Sequence, residues 1–139
     1  MPQVIPENLD KAAQRGEPSH VWRAGQERRF DLLKQAAGGR LNGAVLVDGS
    51  GIGMYLSRLV PVAGFSVGLD IELPRVKESR VYTSNVFCAA GENVPLPESS
   101  FDLVFSHEVL EHVRDDQKAI REMVRVLKPG GRIVLFCPN

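Results

Sequence analysis

From residue 44 to the end of the chain, short apolar runs alternate with segments whose apolar residues recur at helical spacing. Ala44-Val-Leu-Val47 is an apolar run that stops at a glycine-rich turn, the pattern of a buried strand. Met54 to Val60 then reads as a helix halted by Pro61. Ser66 to Asp70 is a second strand closed by an acid, and a loop containing Pro74 and a polar stretch is expected after it. Val86 to Ala89 forms a third, weaker strand, and Asp102 to Ser106 a fourth, reached through the loop from Val94 to Ser100. Asp116 to Leu127 carries the clearest helical rhythm. Ile120, Met123, Val124 and Leu127 fall at i, i+3, i+4 and i+7, which predicts one apolar stripe against the sheet, with Asp115 or Asp116 capping the start. Pro129 disfavours helical geometry at Lys128, Gly130-Gly131 supplies a turn, and Arg132 to Phe136 is a fifth strand. Strands alternating with helices imply a parallel sheet with right-handed crossovers, open and doubly wound.

The first 43 residues differ in character. Pro2, Pro6 and Pro18 predict an irregular start, and a helix from about Arg28 to Ala37 follows, with Trp22 ahead of it and Phe30, Leu33 and Ala37 on one side. Gly38-Gly39 ends that helix. The expected division is therefore an N-terminal segment, 1–43, before an α/β core, 44–139.

Composition narrows the partners. A chain of 139 residues with 43% hydrophobic and 24% charged residues has the make-up of one globular domain. Lys+Arg and Asp+Glu balance at 17 each, so no net field draws it to nucleic acid or anionic lipid. The opening MPQVIPENLD lacks the pattern of a secretion signal, and no apolar run is long enough to span a bilayer. Cys88 and Cys137 form neither a disulfide framework nor a metal signature, and both read as reduced core cysteines. A cytoplasmic location is expected.

Val45 to Gly53, VLVDGSGIG, is the most informative stretch. Gly49-Ser50-Gly51-Ile52-Gly53 between a strand and a helix lets backbone pass close to a nucleotide, with helix-start N–H groups facing it. The dinucleotide spacing GxGxxG fails at Met54, and no Gly-Lys-Ser/Thr of a P-loop follows. The tighter GxGxG suits a cofactor with an amino-acid tail, although a tight ligand-free connection has the same glycines. Asp70 ends the next strand, placed to accept hydrogen bonds from ribose hydroxyls.

Four blocks in order, VLVDGSGIG, VGLDI (67–71), GENVPLPESSFDLVFSHEVLEHV (91–113) and VRVLKPGGRIVLFCPN (124–139), resemble the class I S-adenosylmethionine-dependent methyltransferases, in particular the type 11 branch. The resemblance implies a Rossmann-like α/β fold of about five strands here, without the family's last two, and methyl transfer from S-adenosylmethionine to a small-molecule substrate. It places Gly49, Gly51 and Gly53 along the methionine part of the cofactor, with Asp48 and Ser50 of the same turn beside them. It puts Asp70 on the ribose, Ile71 by the adenine, and Gly91, Glu92 and Asn93 in the turn flanking the adenine. Ser106 and His107 would face the sulfonium methyl, and His107 or Glu108 would serve as base for a hydroxyl or acidic-carbon acceptor.

Three departures stand out. The family's acid two residues before the first glycine is Val47 here, and Asp48 follows it. Neighbouring strand residues face opposite sides, so either the usual amino-group contact is lost or the strand end twists to restore it. Ser50 replaces a common cysteine, and Ala90 stands where an aspartate often bonds the adenine amine. A zinc site at His107-Glu-Val-Leu-Glu-His112 is disfavoured, because five residues separate the two rings and no third ligand is evident; no metal is expected. Two other readings are a non-catalytic cofactor-binding fragment and, more weakly, an NAD(P) domain. With the family's last strands missing, the expectation is a fragment whose fifth strand offers an edge for self-association.

Overall fold

Five strands pair in parallel, in the order β3-β2-β1-β4-β5, in a computed structural model that describes residues 20–137. The strands are β1 (Ala44–Asp48), β2 (Phe65–Asp70), β3 (Val86–Cys88), β4 (Phe101–His107) and β5 (Leu127–Phe136). The helices are α1 (Ala24–Ala37), α2 (Met54–Leu59), α3 (Leu73–Ser79) and α4 (Asp116–Val126), with single 3₁₀ turns at Gly38–Asn42 and Leu110–His112. Pro2, Pro6 and Pro18 lie outside the described residues. The chain builds outward from β1 to β3, then returns to add β4 on the other side of β1. That reversal makes the C-terminal ends of β1 and β4 the switch point of an open α/β sheet, where a crevice forms.

Alternation along β1 separates two cores. Val45 and Val47 join Leu33 of α1, Leu56 and Leu59 of α2 and Val76 of α3 on one face. Leu46 joins Met123 and Val126 of α4 with Val67, Leu69 and Val104 on the other. Full burial of such side chains contributes roughly 1.5–3 kcal/mol each. Asp102 ties the sheet to its entrance, accepting from the Ala44 amide at 2.8 Å.

Several expectations change. The loop around Pro74 is helix α3, since proline in a first helical turn gives up no intrahelical bond. The buried face of α4 is Ala119, Met123 and Val126, while Ile120 and Val124 are exposed; the true stripe starts one residue earlier and is anchored by the small Ala119. Asp115 is the cap, accepting from the Lys118 amide at 3.0 Å. Leu127 already belongs to β5, pairing with Phe101, and the Pro129-Gly-Gly turn is an irregularity inside that strand. Neither cysteine is a core residue: Cys88 and Cys137 are both exposed, because each sits where its strand leaves the sheet. No described helix is long and apolar enough to cross a membrane.

Candidate functional site

The glycine turn is pinned to β2 rather than held by its own helix. Leu69 O accepts from the amides of Gly49 at 2.9 Å and Ser50 at 2.8 Å. Asp70 Oδ2 accepts from the Gly51 amide at 3.0 Å, and its Oδ1 from Glu72 at 2.9 Å. One carboxylate therefore braces the turn and the start of the loop into α3. Gly49 and Gly53 have φ of +77° and +92°. At Gly49 space is also decisive, because a Cβ would lie 2.2 Å from Val109 Cγ2. The turn and the segment after β4 are thus packed backbone to side chain.

Two cavities open at this switch point. The larger, about 500 Å³, runs from Asp48 and Gly49 past Asp70, Ile71 and Glu72 to Ala90, Gly91 and Glu92, and is closed by Val109 to Arg114 of the segment after β4. Its volume is within the roughly 300–1,000 Å³ of small-molecule pockets. The smaller, about 210 Å³, is walled by Gly49, Ser50, Gly51, Tyr55, Phe105, His107 and Glu108, with Gln26 and Arg75 at its margin. Gly49 and His112 line both.

Asp48 and Val47 settle how β1 ends. The strand keeps its alternation without a twist: Val47 lines the smaller cavity, while Asp48 lines the larger one. Asp48 is 1% exposed, and its Oδ2 is buried with no hydrogen-bond partner among the described residues. Burial, reinforced by the charges of Asp70 and Glu92, raises its pKa from 3.8 to about 7.

His107 belongs to an aromatic group. Its ring centroid is 5.1 Å from that of Tyr55, 6.1 Å from Phe136 and 6.3 Å from Phe105. Burial, and then the nearby Arg29 charge, hold its pKa below the usual 6.5 against the pull of Glu108 and Glu111, which leaves a neutral ring at pH 7. Its Nε2 is buried with no partner among the described residues. Glu108 follows in a left-handed conformation, φ 55°, its amide donating to Phe136 O at 2.8 Å.

Of the residues singled out in the sequence, Asp48, Gly49, Asp70, Ile71, Gly91 and Glu92 meet around the larger cavity, and Gly49, Ser50, Gly51, His107 and Glu108 around the smaller. Gly53, Asn93 and Ser106 line neither. Asn93 instead accepts from Lys118 Nζ at 3.0 Å, and Ser106 is buried with its Oγ unpartnered among the described residues. Sequence reading overlooked the wall formed by Val109, His112, Val113 and Arg114, as well as Gln26, Tyr55 and Arg75. Nothing in their spacing marks them, since each reaches the site through packing between elements.

The family profile described as "Methyltransferase domain" matches residues 46–135, well over half of the chain. The chain belongs to the S-adenosylmethionine-dependent methyltransferase family. Two curated relatives agree. A probable S-adenosylmethionine-dependent methyltransferase of Mycolicibacterium smegmatis is 33% identical over 115 residues, covering 81% of this chain and 45% of the relative. The demethylmenaquinone methyltransferase of Corynebacterium urealyticum is 30% identical over 115 residues, covering 83% of this chain and 47% of the relative. Among solved structures, the YcgJ protein of Bacillus subtilis superposes with a TM-score of 0.72 at 28% identity, over 78% of this chain and 50% of its own. The chain thus spans about half the length of the curated relatives it matches. The methyltransferase profile begins inside β1 and ends inside β5, so the whole glycine turn and, Gln26 apart, the lining of both cavities fall within the matched stretch.

Proposed function

We propose that this methyltransferase chain binds S-adenosylmethionine across the C-terminal ends of β1, β2 and β3, for transfer of its methyl group to a small-molecule acceptor. The observation that carries the reading is the pair of adjoining cavities sharing Gly49, on a turn braced by Asp70 at the sheet's switch point. A ligand with a nucleoside at one end and an amino-acid tail at the other matches that division. The residues fit such a group: Asp48 Oδ2 is a buried acceptor with no partner among the described residues, and Gly49 has no room for a side chain.

In this reading Asp70 holds the ribose while bracing the turn. Ile71, 62% exposed at the cavity edge, covers the adenine, with Gly91 and Glu92 on its far side. Backbone of Gly49, Ser50 and Gly51 lies along the tail, and Gly53, Asn93 and Ser106 act behind that layer. When bound, the cofactor supplies a methyl group on a sulfonium that is its own leaving group. The protein's task is then alignment and exclusion of water. Tyr55, Phe105 and His107 give the acceptor side an aromatic wall, and a neutral His107 or Glu108 can take a proton from a hydroxyl or acidic carbon. A small-molecule acceptor is supported by the quinone named for the Corynebacterium relative. Residues 44–139 form the cofactor core in this proposal and residues 1–43 a separate N-terminal segment, whose helix α1 packs against the core through Phe30 and Leu33.

Calorimetry with S-adenosylmethionine, with NADH as control, tests the assignment. Saturable heat with the first and none with the second is expected. No binding at millimolar S-adenosylmethionine overturns it. A second reading, binding without transfer, draws on the sealed Nε2 of His107. Labelled methyl appearing in any acceptor of a small-molecule extract decides against it.

A further inference from the structure

We propose that Asp48 reads the charge of the ligand in the larger cavity, so that the site favours the cationic sulfonium cofactor over the neutral thioether left after methyl transfer. This rests on the cofactor reading above and adds to it a named discriminating residue. Four carboxyls line this cavity: Asp48 at the end of β1, Asp70 at the end of β2, Glu72 two residues beyond it and Glu92 in the turn after β3. Asp48 and Asp70 are each 1% exposed. Both oxygens of Asp48 lie within 3.5 Å of where a Cβ on Gly91 would stand, so a glycine there leaves the carboxyl free of a covering methyl.

Asp48 has no basic partner among the described residues. Beyond burial, the charges acting on it are those of Asp70 and Glu92, both negative. The other ionisable groups lining the cavity are Glu72, His112 and Arg114, of which Arg114 is solvent-exposed; Lys118 on α4 is engaged by Asn93. A buried carboxylate facing two others is stabilised by an incoming positive charge and gains little from a neutral ligand. The acid titrates at about 7 without ligand, so a cation must draw it into the ionised form and release a proton. Binding of the cation is therefore weaker below neutrality and stronger above it. A protonated Asp48 donating to the ligand would give the opposite slope.

The test is calorimetry of S-adenosylmethionine and S-adenosylhomocysteine from about pH 6 to about pH 8, with the parent chain and with Asp48→Asn. If the cation lowers the acid's pKa by about one unit, S-adenosylmethionine affinity in the parent rises about fivefold over that range. S-adenosylhomocysteine affinity should rise less than about threefold. In Asp48→Asn the two ligands should show the same slope, since titration of the ligand amino group is common to both. Equal slopes in the parent, a slope that falls with pH, or a parent-like difference in the variant overturns the proposal while the cofactor reading stands. If neither ligand binds the parent at any pH, the cofactor reading falls and takes this proposal with it.

Discussion

Asp48→Asn should make the ligand-free protein more stable at and above neutral pH, and the gain can be worked from the burial of one group. An aspartate with a pKa of 3.8 when exposed and about 7 in the fold binds its proton more tightly in the native state. Below pH 3.8 both states hold the proton and the raised pKa costs nothing. Between there and about 7 the unfolded chain has released its proton and the native state has not, so stability falls as pH rises. The slope is about 1.4 kcal/mol per pH unit. Above about 7 the loss levels off near 4 kcal/mol, an upper bound set by complete ionisation. Asparagine keeps the size and removes the titration. The assay is urea unfolding of parent and variant at about pH 5 and about pH 8, with the difference between them taken at each, which cancels every other titrating group. The variant should gain on the parent by about 2–3 kcal/mol between those two conditions, with most of the gain below pH 7. Parallel stability curves would show that Asp48 is not held against its charge, and the electrostatic reasoning about the larger cavity would fall with it.

Gly49→Ala adds a methyl 2.2 Å from Val109 Cγ2 at φ +77°, so it should lose more than about 1–2 kcal/mol of stability. Val109→Ala in the same chain should return the packing part only; a single variant as stable as the parent in thermal unfolding refutes the close approach. Asp70→Ala strips the acceptors from the Gly51 and Glu72 amides, and S-adenosylmethionine affinity should fall at least about tenfold. Unchanged affinity by calorimetry removes its ribose role. The His107 ring should titrate below 6.5 by NMR, and under the proposed function His107→Ala should lower turnover with cofactor affinity nearly intact. Equal turnover ends its role as base. Arg125 donates to Leu96 O at 2.9 Å and Val94 O at 2.8 Å, and it pairs with Glu122, which accepts from the Val94 amide. Arg125→Ala should speed hydrogen exchange at Val94, and an unchanged rate would mean the loop before β4 is held by something else.

The sequence alone determined what depends on neighbours in the chain. Apolar runs marked the five strands, the first two closed by a glycine turn or an acid, and the glycine spacing and the strand-end Asp70 pointed to the two corners that line the larger cavity. Chain-local rules also misled where two of them competed. Pro74 was read as a breaker although a first helical turn tolerates it, and the stripe of α4 was drawn through the larger Ile120 and Val124 although Ala119 is the residue that fits against the sheet. Tertiary structure alone decided which cavity Asp48 enters, that His107 is wrapped by Tyr55, Phe105 and Phe136, and that Val109 to Arg114 wall the site. The reason is distance along the chain. Asp48, Asp70 and Glu92 are separated by whole crossover units, and their mutual repulsion and shared burial exist only once β1, β2 and the turn after β3 stand side by side.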